Sequence, residues 1–216
     1  AQMRELLTTI QSLRSDKISL RLDGQDARRP SFTLQRVGTQ TSLRFAGLPS
    51  GHEFASLVLA LLWTGGHPPK IEPELIEQAQ ALQGDYQFEV YMSLSCHNCP
   101  DVVQALNAMV TLNPAITHEM VDGALYQDEV DALKIQGVPS VFADGKLLHV
   151  GRGEFGELLA KLEEQYGIDE TKANAEVKEY DVIVAGGGPA GVSAAIYSAR
   201  KGLRVAIVAE RVGGQV

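Results

Sequence analysis

Ser93-Leu94-Ser95-Cys96-His97-Asn98-Cys99-Pro100-Asp101 is the stretch that decides the fold of this 216-residue chain. It contains both cysteines of the sequence, three positions apart. A strand-like segment, residues 88–92, precedes it, and apolar residues recur at helical spacing after Pro100. The pattern predicts a strand, a short loop and a helix that begins at the cysteines.

The position of the two cysteines predicts reactive thiols. The thiolate is the nucleophilic form of cysteine, and the unpaired N–H groups and positive dipole end of a helix N-terminus lower a thiol's pKa. Three-residue spacing returns Cys99 to Cys96 on the first turn, within reach of a disulfide. The sequence therefore predicts thiol–disulfide exchange, in which one cysteine attacks and the other resolves the mixed disulfide. His97 either holds positive charge near the thiolate or is solvated.

Two other uses of a Cys-x-x-Cys pair fit less well. Half of a zinc site needs two further nitrogen or sulfur ligands, and the remaining histidines show no paired metal spacing, so no metal is predicted. A purely structural disulfide between such near neighbours closes almost no loop and stabilises little. The redox interpretation is therefore favoured over both.

The elements predicted around the dithiol follow the order β-α-β-α-β-β-α, which is that of the thioredoxin fold. Beyond the dithiol helix they are a strand at 116–121, a helix at 127–134, a hairpin formed by 140–142 and 146–150, and a helix at 154–166. Pro139 starts the hairpin, where this fold places a cis-proline that faces the dithiol. Pro139 is therefore a candidate site residue.

The first half of the chain repeats parts of the second in a degenerate form. Residues 13–24 parallel 112–123, and both end in Asp-Gly after a strand-like stretch. Arg29-Pro30-Ser31-Phe32 parallels the segment around Pro139, and residues 53–57 parallel 154–158. Two tandem copies are predicted, the first without its middle helix and with its dithiol position before Ala1. Glu53 is a candidate proton acceptor for the dithiol, or simply an acid in the first turn of the helix after Gly51.

The tail of the chain carries a nucleotide-binding fingerprint. A buried-type strand at 180–185 runs into Gly186-Gly187-Gly188-Pro189-Ala190-Gly191, then a helix at 190–202 and a second strand at 204–209 that ends in Glu210. The glycines allow a tight turn and close approach of a pyrophosphate, and Glu210 can accept from a ribose hydroxyl. A single βαβ unit lacks the rest of the sheet, so this piece alone is not expected to hold a dinucleotide.

Composition excludes several classes of function. The net charge is −8 and no block of Lys or Arg occurs, which argues against a nucleic-acid partner. The most apolar stretch, residues 57–63, is far shorter than the ~20 residues that span a bilayer. Two closely spaced cysteines in a chain with 44% hydrophobic and 21% charged residues indicate a soluble, cytoplasmic protein rather than a stapled secreted domain. The sequence opens at Ala1 inside a helical pattern and without an initiator Met, and it stops at Val216 just after a predicted strand, so we expect a fragment of a longer protein.

Taken together, these motifs resemble a family of bacterial flavoproteins, the F subunits of alkyl hydroperoxide reductases. The matching stretches are Phe45-Ala46-Gly47, Gly51-His52-Glu53-Phe54, residues 57–66, residues 93–106, residues 186–191 and Glu210-Arg211-Val212-Gly213-Gly214-Gln215. The resemblance implies that NADH reduces FAD in a thioredoxin-reductase-like module, and that the dithiol carries electrons on to a peroxiredoxin, with Cys96 attacking and Cys99 resolving. It also implies a homodimer in the full-length form.

The same resemblance gives the expected fold class and boundaries. We expect an α/β chain with tandem thioredoxin-like folds at 1–82 and 83–166, a linker at 167–179 and a truncated FAD-binding domain at 180–216. FAD would contact Gly186, Gly187, Gly188, Pro189, Ala190, Gly191, Glu210, Gly214 and Gln215. Two other functions remain open, a glutaredoxin-like or general protein-disulfide reductase and a non-catalytic module that only docks a peroxiredoxin.

Overall fold

A computed structural model describes residues 1–167 and 179–209 of the chain. These residues fall into two compact units, residues 1–174 and 175–216.

The first unit alternates helices and short strands. In chain order its elements are α1 (Gln2–Leu13), β1 (Phe32–Gln35), β2 (Ser42–Ala46), a 3₁₀ turn (Gly51–Glu53), α2 (Phe54–Thr64), α3 (Pro73–Ala81), β3 (Tyr86–Met92), α4 (Cys99–Leu112), β4 (Ile116–Asp122), α5 (Gln127–Ala132), β5 (Ser140–Ala143), β6 (Lys146–Val150) and α6 (Phe155–Tyr166).

All six strands of this unit form one sheet, in the order β1-β2-β4-β3-β5-β6. The two central strands β3 and β4 are parallel, and the β5–β6 hairpin adds antiparallel to β3. The β1–β2 hairpin from the first half of the chain joins the other side, with β2 parallel to β4. The two halves therefore share a continuous sheet rather than forming separate ones.

Helix α4 lies at the centre of the main core. Pro100 in its first turn has no N–H to leave unpaired, and Asp101 favours the positive end of the helix, so both fix its start. Nine of its side chains are buried, and it packs against α2 and α3 from the first half and against α6 from the second. The core beneath it includes Phe45, Phe88 and Met120, one from each of the strands β2, β3 and β4.

An ion cluster on the other face of the sheet ties the two halves together. The Arg28 guanidinium, with 16% of its side chain exposed, donates to Glu119 at 2.6 Å, to Glu89 at 2.6 Å and to Glu129 at 2.5 Å. The hydrogen bond from Arg28 lowers the pKa of Glu129, whereas burial raises the pKa of Glu119 despite the nearby arginines. The loop before β1 is thus held to β3, β4 and α5 by charge as well as by the shared sheet.

Two expectations need correction. The strand-like stretch that ends in Asp23-Gly24 forms no strand, because residues 18–24 have no neighbouring strand to pair with among the described residues. The dithiol helix begins at Cys99 with Asn98 as its N-cap, so Cys96 lies in the preceding loop, three residues before the first helical residue.

The second unit is a single βαβ unit. Its elements are β7 (Val182–Ala185), α7 (Pro189–Arg200) and β8 (Val205–Val208), and the two strands are parallel. The Asp181 carboxylate accepts a hydrogen bond from the Arg204 backbone N–H at 2.8 Å, which holds the starts of the two strands together.

Candidate redox site

The two cysteines form a disulfide in which the sulfurs differ in access. Their Cα atoms are 5.5 Å apart, an ordinary distance for such a bond. Cys99 has no exposed surface, whereas Cys96 is only partly buried. A partner molecule can therefore reach Cys96 and not Cys99, which suits an attacking sulfur and a resolving sulfur.

Pro139 lies beside this disulfide. The Val138–Pro139 peptide bond is cis, and the Val138 carbonyl oxygen is 3.7 Å from Cys96 Sγ. The next residue, Ser140, starts β5 and pairs with Tyr91 near the end of β3, the strand that leads to the dithiol. Because β3 and β5 are neighbours, the sheet itself brings the proline to the cysteines.

Glu53 is buried next to the dithiol loop. It has no exposed surface, and neither carboxylate oxygen has a hydrogen-bond partner among the described residues. Burial raises the pKa of Glu53 to about 7; the nearby Ser56 hydroxyl opposes this rise and the negative charge of Asp101 adds to it. Asp101 belongs to the first turn of α4, so Glu53 faces the end of the helix that carries Cys99.

The turn that carries Glu53 packs closely on the dithiol loop. A Cβ atom on Gly51, whose φ is +58°, would lie 3.4 Å from the Leu94 carbonyl oxygen. The His52 and His97 rings are in contact, with their centroids 4.3 Å apart and their planes tilted by 45°. The sequence analysis did not predict that His52 contacts His97. The one feature of the sequence that could have pointed to His52 is its position next to Glu53 in the matched segment Gly51-His52-Glu53-Phe54.

The glycine-rich turn of the second unit fits a diphosphate. Gly186 has φ +114°, and a Cβ on Gly191 would lie 2.0 Å from the Gly186 carbonyl oxygen, so both positions require glycine. Among the described residues, and apart from the glycines' own chain neighbours, no atom lies within 4 Å of a Cβ built on Gly186 or Gly188, so these residues leave open space in front of the N-terminus of α7. Gly187, Pro189 and Ala190 complete this turn, while Glu210, Gly214 and Gln215 lie outside the described residues.

Among residues 1–167 and 179–209, no group of three or more His, Cys, Asp or Glu side chains could hold a metal ion. His118 is buried under the sheet, where burial lowers its pKa to about 3 and its Nδ1 lies 2.8 Å from Asn107 Oδ1. Over the same residues, no helix combines the length and apolar character needed to cross a membrane.

Comparison with known proteins identifies the relatives of this chain. Residues 86–164 match the thioredoxin domain family, and residues 181–215 match the FAD binding domain family. The F subunit of alkyl hydroperoxide reductase in Pseudomonas putida is 54% identical over 215 residues, and that in Escherichia coli (strain K12) is 50% identical over 219. The alignments cover 100% of this chain and 41% and 42% of those proteins, so the chain spans about two fifths of the length of the curated relatives it matches.

A solved structure decides the family. The NTD_N/C domain of alkylhydroperoxide reductase from Enterococcus faecalis is 31% identical with a TM-score of 0.68, over 74% of this chain and 83% of that one. The chain belongs to the family of alkyl hydroperoxide reductase F subunits. Membership in that family confirms the α/β prediction of a thioredoxin-like domain followed by the start of an FAD-binding domain.

Proposed function

We propose that this chain is the disulfide-reductase arm of an NADH- and FAD-dependent alkyl hydroperoxide reductase, and that its dithiol reduces the disulfide of a peroxiredoxin partner. The observation that carries the proposal is the pairing of a reachable Cys96 with a buried Cys99 beside a cis-proline. Matches over the whole chain to F subunits of alkyl hydroperoxide reductases support the same assignment.

The exchange proceeds in two displacements. The Cys96 thiolate attacks one sulfur of the partner disulfide, and the other partner sulfur leaves as a thiolate and takes up a proton. The Cys99 thiolate then attacks Cys96 Sγ, which breaks the mixed disulfide and releases the second partner thiol. Two electrons pass to the partner, and the chain ends with its Cys96–Cys99 bond formed.

Glu53 is proposed to move the proton in the second step. Cys99 must lose its proton before it attacks, and it lies away from solvent. A buried carboxyl group with a pKa of about 7 is matched to accept a proton at neutral pH. Pro139 is proposed to shape the surface on which the partner disulfide meets Cys96.

The tail is proposed to belong to the flavin domain of the longer enzyme. Residues 186–191 would hold the FAD diphosphate at the start of α7, and Glu210, Gly214 and Gln215 would complete the contacts. When bound, FAD supplies two-electron transfer from NADH to a dithiol. The boundaries proposed are 1–82, 83–166, a linker at 167–179 and 180–216, in a cytoplasmic, homodimeric parent that binds neither nucleic acid nor membrane.

The test compares substrates for the reduced chain. We expect it to reduce an oxidised peroxiredoxin much faster than insulin or a glutathione mixed disulfide, as followed by stopped-flow fluorescence. Equal rates would favour the glutaredoxin-like or general reductase instead.

The variant Cys99→Ser should accumulate a mixed disulfide with the peroxiredoxin on a non-reducing gel, and Cys96→Ser should not. Undiminished electron transfer by Cys96→Ser in the full-length parent would instead indicate a non-catalytic docking module.

A further inference from the structure

The loop that follows β6, residues 151–153, is held by one buried imidazole. His149, with 6% of its surface exposed, is one residue from the end of β6. Its Nε2 atom lies 3.0 Å from the Gly151 carbonyl oxygen and 2.9 Å from the Arg152 carbonyl oxygen. Because carbonyl oxygens only accept hydrogen bonds, Nε2 carries the proton and donates to both.

The second ring nitrogen is also occupied. Lys161 on α6 places its Nζ 2.5 Å from His149 Nδ1, and an ammonium group can only donate. Nδ1 is therefore the acceptor, and the ring is the neutral tautomer with its proton on Nε2. Glu157, one turn earlier on α6, lies 3.6 Å from the Lys161 ammonium as its ion-pair partner. Both nitrogens of His149 are thus committed to fixed partners.

The loop that His149 holds is joined to the redox site through the backbone. The Gly151 N–H donates to the Pro139 carbonyl oxygen at 2.8 Å, and the neighbouring Val138 carbonyl oxygen lies 3.7 Å from Cys96 Sγ. The approach of loop and ring is close, since a Cβ on Gly153 would lie 2.8 Å from His149 Nε2. A continuous chain of contacts therefore runs from Lys161 to the cis-proline beside Cys96.

We propose that His149, supported by Lys161, is a positioning residue that fixes the 151–153 loop as one wall of the surface on which a protein disulfide docks against Cys96. The proposal rests on the function proposed above. His149 touches neither sulfur atom, so its contribution is to docking of a protein partner and not to the reactivity of the dithiol itself.

The deciding variant is His149→Leu, which fills the buried position with an apolar side chain and removes the donor to both carbonyls. The reduced chain is mixed with increasing concentrations of oxidised peroxiredoxin, and the rate is followed by stopped flow. We expect the half-saturating peroxiredoxin concentration to rise by about tenfold, as loss of buried hydrogen bonds predicts. The limiting rate, the reduction potential and the rate with 5,5′-dithiobis(2-nitrobenzoic acid) should all stay within about twofold of wild type.

Three further variants separate positioning from general damage. His149→Gln can still donate to the carbonyls and accept from Lys161, so it should restore near-wild-type half-saturation. Lys161→Met removes only the support and should raise the half-saturating concentration by about threefold. Lys146→Met, at an exposed lysine on β6, is the matched control and should change nothing.

Several results would overturn the proposal. A folded His149→Leu chain with unchanged half-saturation refutes it, and so does an equal loss of rate with the small aromatic disulfide. If His149→Leu does not fold, Lys161→Met decides, and an unchanged value for it refutes the proposal. A wild-type chain that reduces the small disulfide but no peroxiredoxin refutes the proposed function, and the docking role falls with it.

Discussion

The two halves of the first unit carry matching sequence segments but differ in what surrounds them. In the second half, β3 precedes the dithiol helix and lies between β4 and β5, and α3, at the end of the first half, packs on α6. The first half has no counterpart of β3 among its described residues. Its β1–β2 hairpin joins the rest of the sheet through β2, and β1 is an edge strand among the described residues. An open groove of about 1020 Å³ lies between α1, β1 and residues 18–24. Matching segments in the two halves are therefore buried to different extents, because the elements that surround them differ.

The largest effect should come from the contact that joins the halves. Arg28→Met removes the cation that contacts the partly buried carboxylates of Glu89, Glu119 and Glu129, and leaves Arg44, 3.3 Å from Glu119, as the remaining partner of that residue. Removing one partner of such a buried pair costs about 3–5 kcal/mol in the free energy of unfolding. Burial raises the pKa of Glu119 and Arg28 opposes that rise, while the hydrogen bond from Arg28 lowers the pKa of Glu129, so both pKa values rise in the folded state when Arg28 is removed. Stability is then lost as pH rises, so urea unfolding should show a larger deficit at pH 8 than at pH 5.

The control for Arg28 is Arg21→Met, which removes an exposed ion pair with Asp23. Exposed pairs contribute little, so its free energy of unfolding should change by less than about 0.5 kcal/mol. A deficit of that size for Arg28→Met as well would mean that the shared sheet and the apolar core hold the two halves together without help from the ion cluster.

Next in size is a matched pair of core leucines. Leu57 in α2 and Leu158 in α6 occupy equivalent positions in the repeated segment, and both have no exposed surface. Leu57 also lines the open groove, where water can enter the space left by a smaller side chain. We expect Leu158→Ala to cost about 3–4 kcal/mol and Leu57→Ala about 2 kcal/mol in urea unfolding. If the two substitutions lower the free energy of unfolding equally, the groove does not reduce the cost of the cavity that Leu57→Ala creates.

The second half follows closely from its sequence, whereas the first half does not. The predicted elements from β3 to α6 agree with the structure within a few residues, because each segment has the partner that its apolar pattern requires. The stretch before Gly24 alternates apolar and polar residues at Ile18, Leu20 and Leu22, as a strand does, but it pairs with no neighbouring strand among the described residues. The spacing of apolar residues indicates which face of a segment can be buried. It does not indicate whether a neighbouring strand or helix is present to cover that face.

The site shows the same limit of sequence reasoning. The dithiol and Pro139 could be placed from local spacing within one fold. The contact of His52 with His97, the ion cluster of Arg28 and the support of His149 by Lys161 join residues from different elements. Their chemistry becomes visible only when the sheet and helix packing bring those elements together.

A third prediction compares two equivalent acids, Glu53 and Glu154. Glu53 is buried with a raised pKa of about 7, whereas the Glu154 side chain is 75% exposed. A pKa raised by folding stabilises the protein below about pH 4.5, and this contribution is lost as pH rises through 7. The difference in stability between Glu53→Gln and wild type should therefore shift in favour of the variant by about 2–3 kcal/mol between pH 4.5 and pH 8.

Urea unfolding at several pH values measures this shift, with Glu154→Gln as the matched control that shows none. If the difference in the free energy of unfolding between Glu53→Gln and wild type does not change with pH, the Glu53 carboxyl group does not have a strongly raised pKa in the folded protein. That result would also remove the support for Glu53 as the proton acceptor in the resolving step.

The smallest effect is expected on the outer face of α2. Phe54, Val58 and Leu62 form an apolar stripe there with 41–49% of their surfaces exposed, and the position equivalent to Leu62 in α6 is Glu163. Since Leu and Glu have similar helix propensities, Leu62→Glu should change the free energy of unfolding by less than about 0.5 kcal/mol. A loss above about 1.5 kcal/mol would mean that the stripe is covered in solution, because apolar surface that is already exposed costs little to replace. Sedimentation velocity of wild type and variant would then show whether a second copy of the chain covers it.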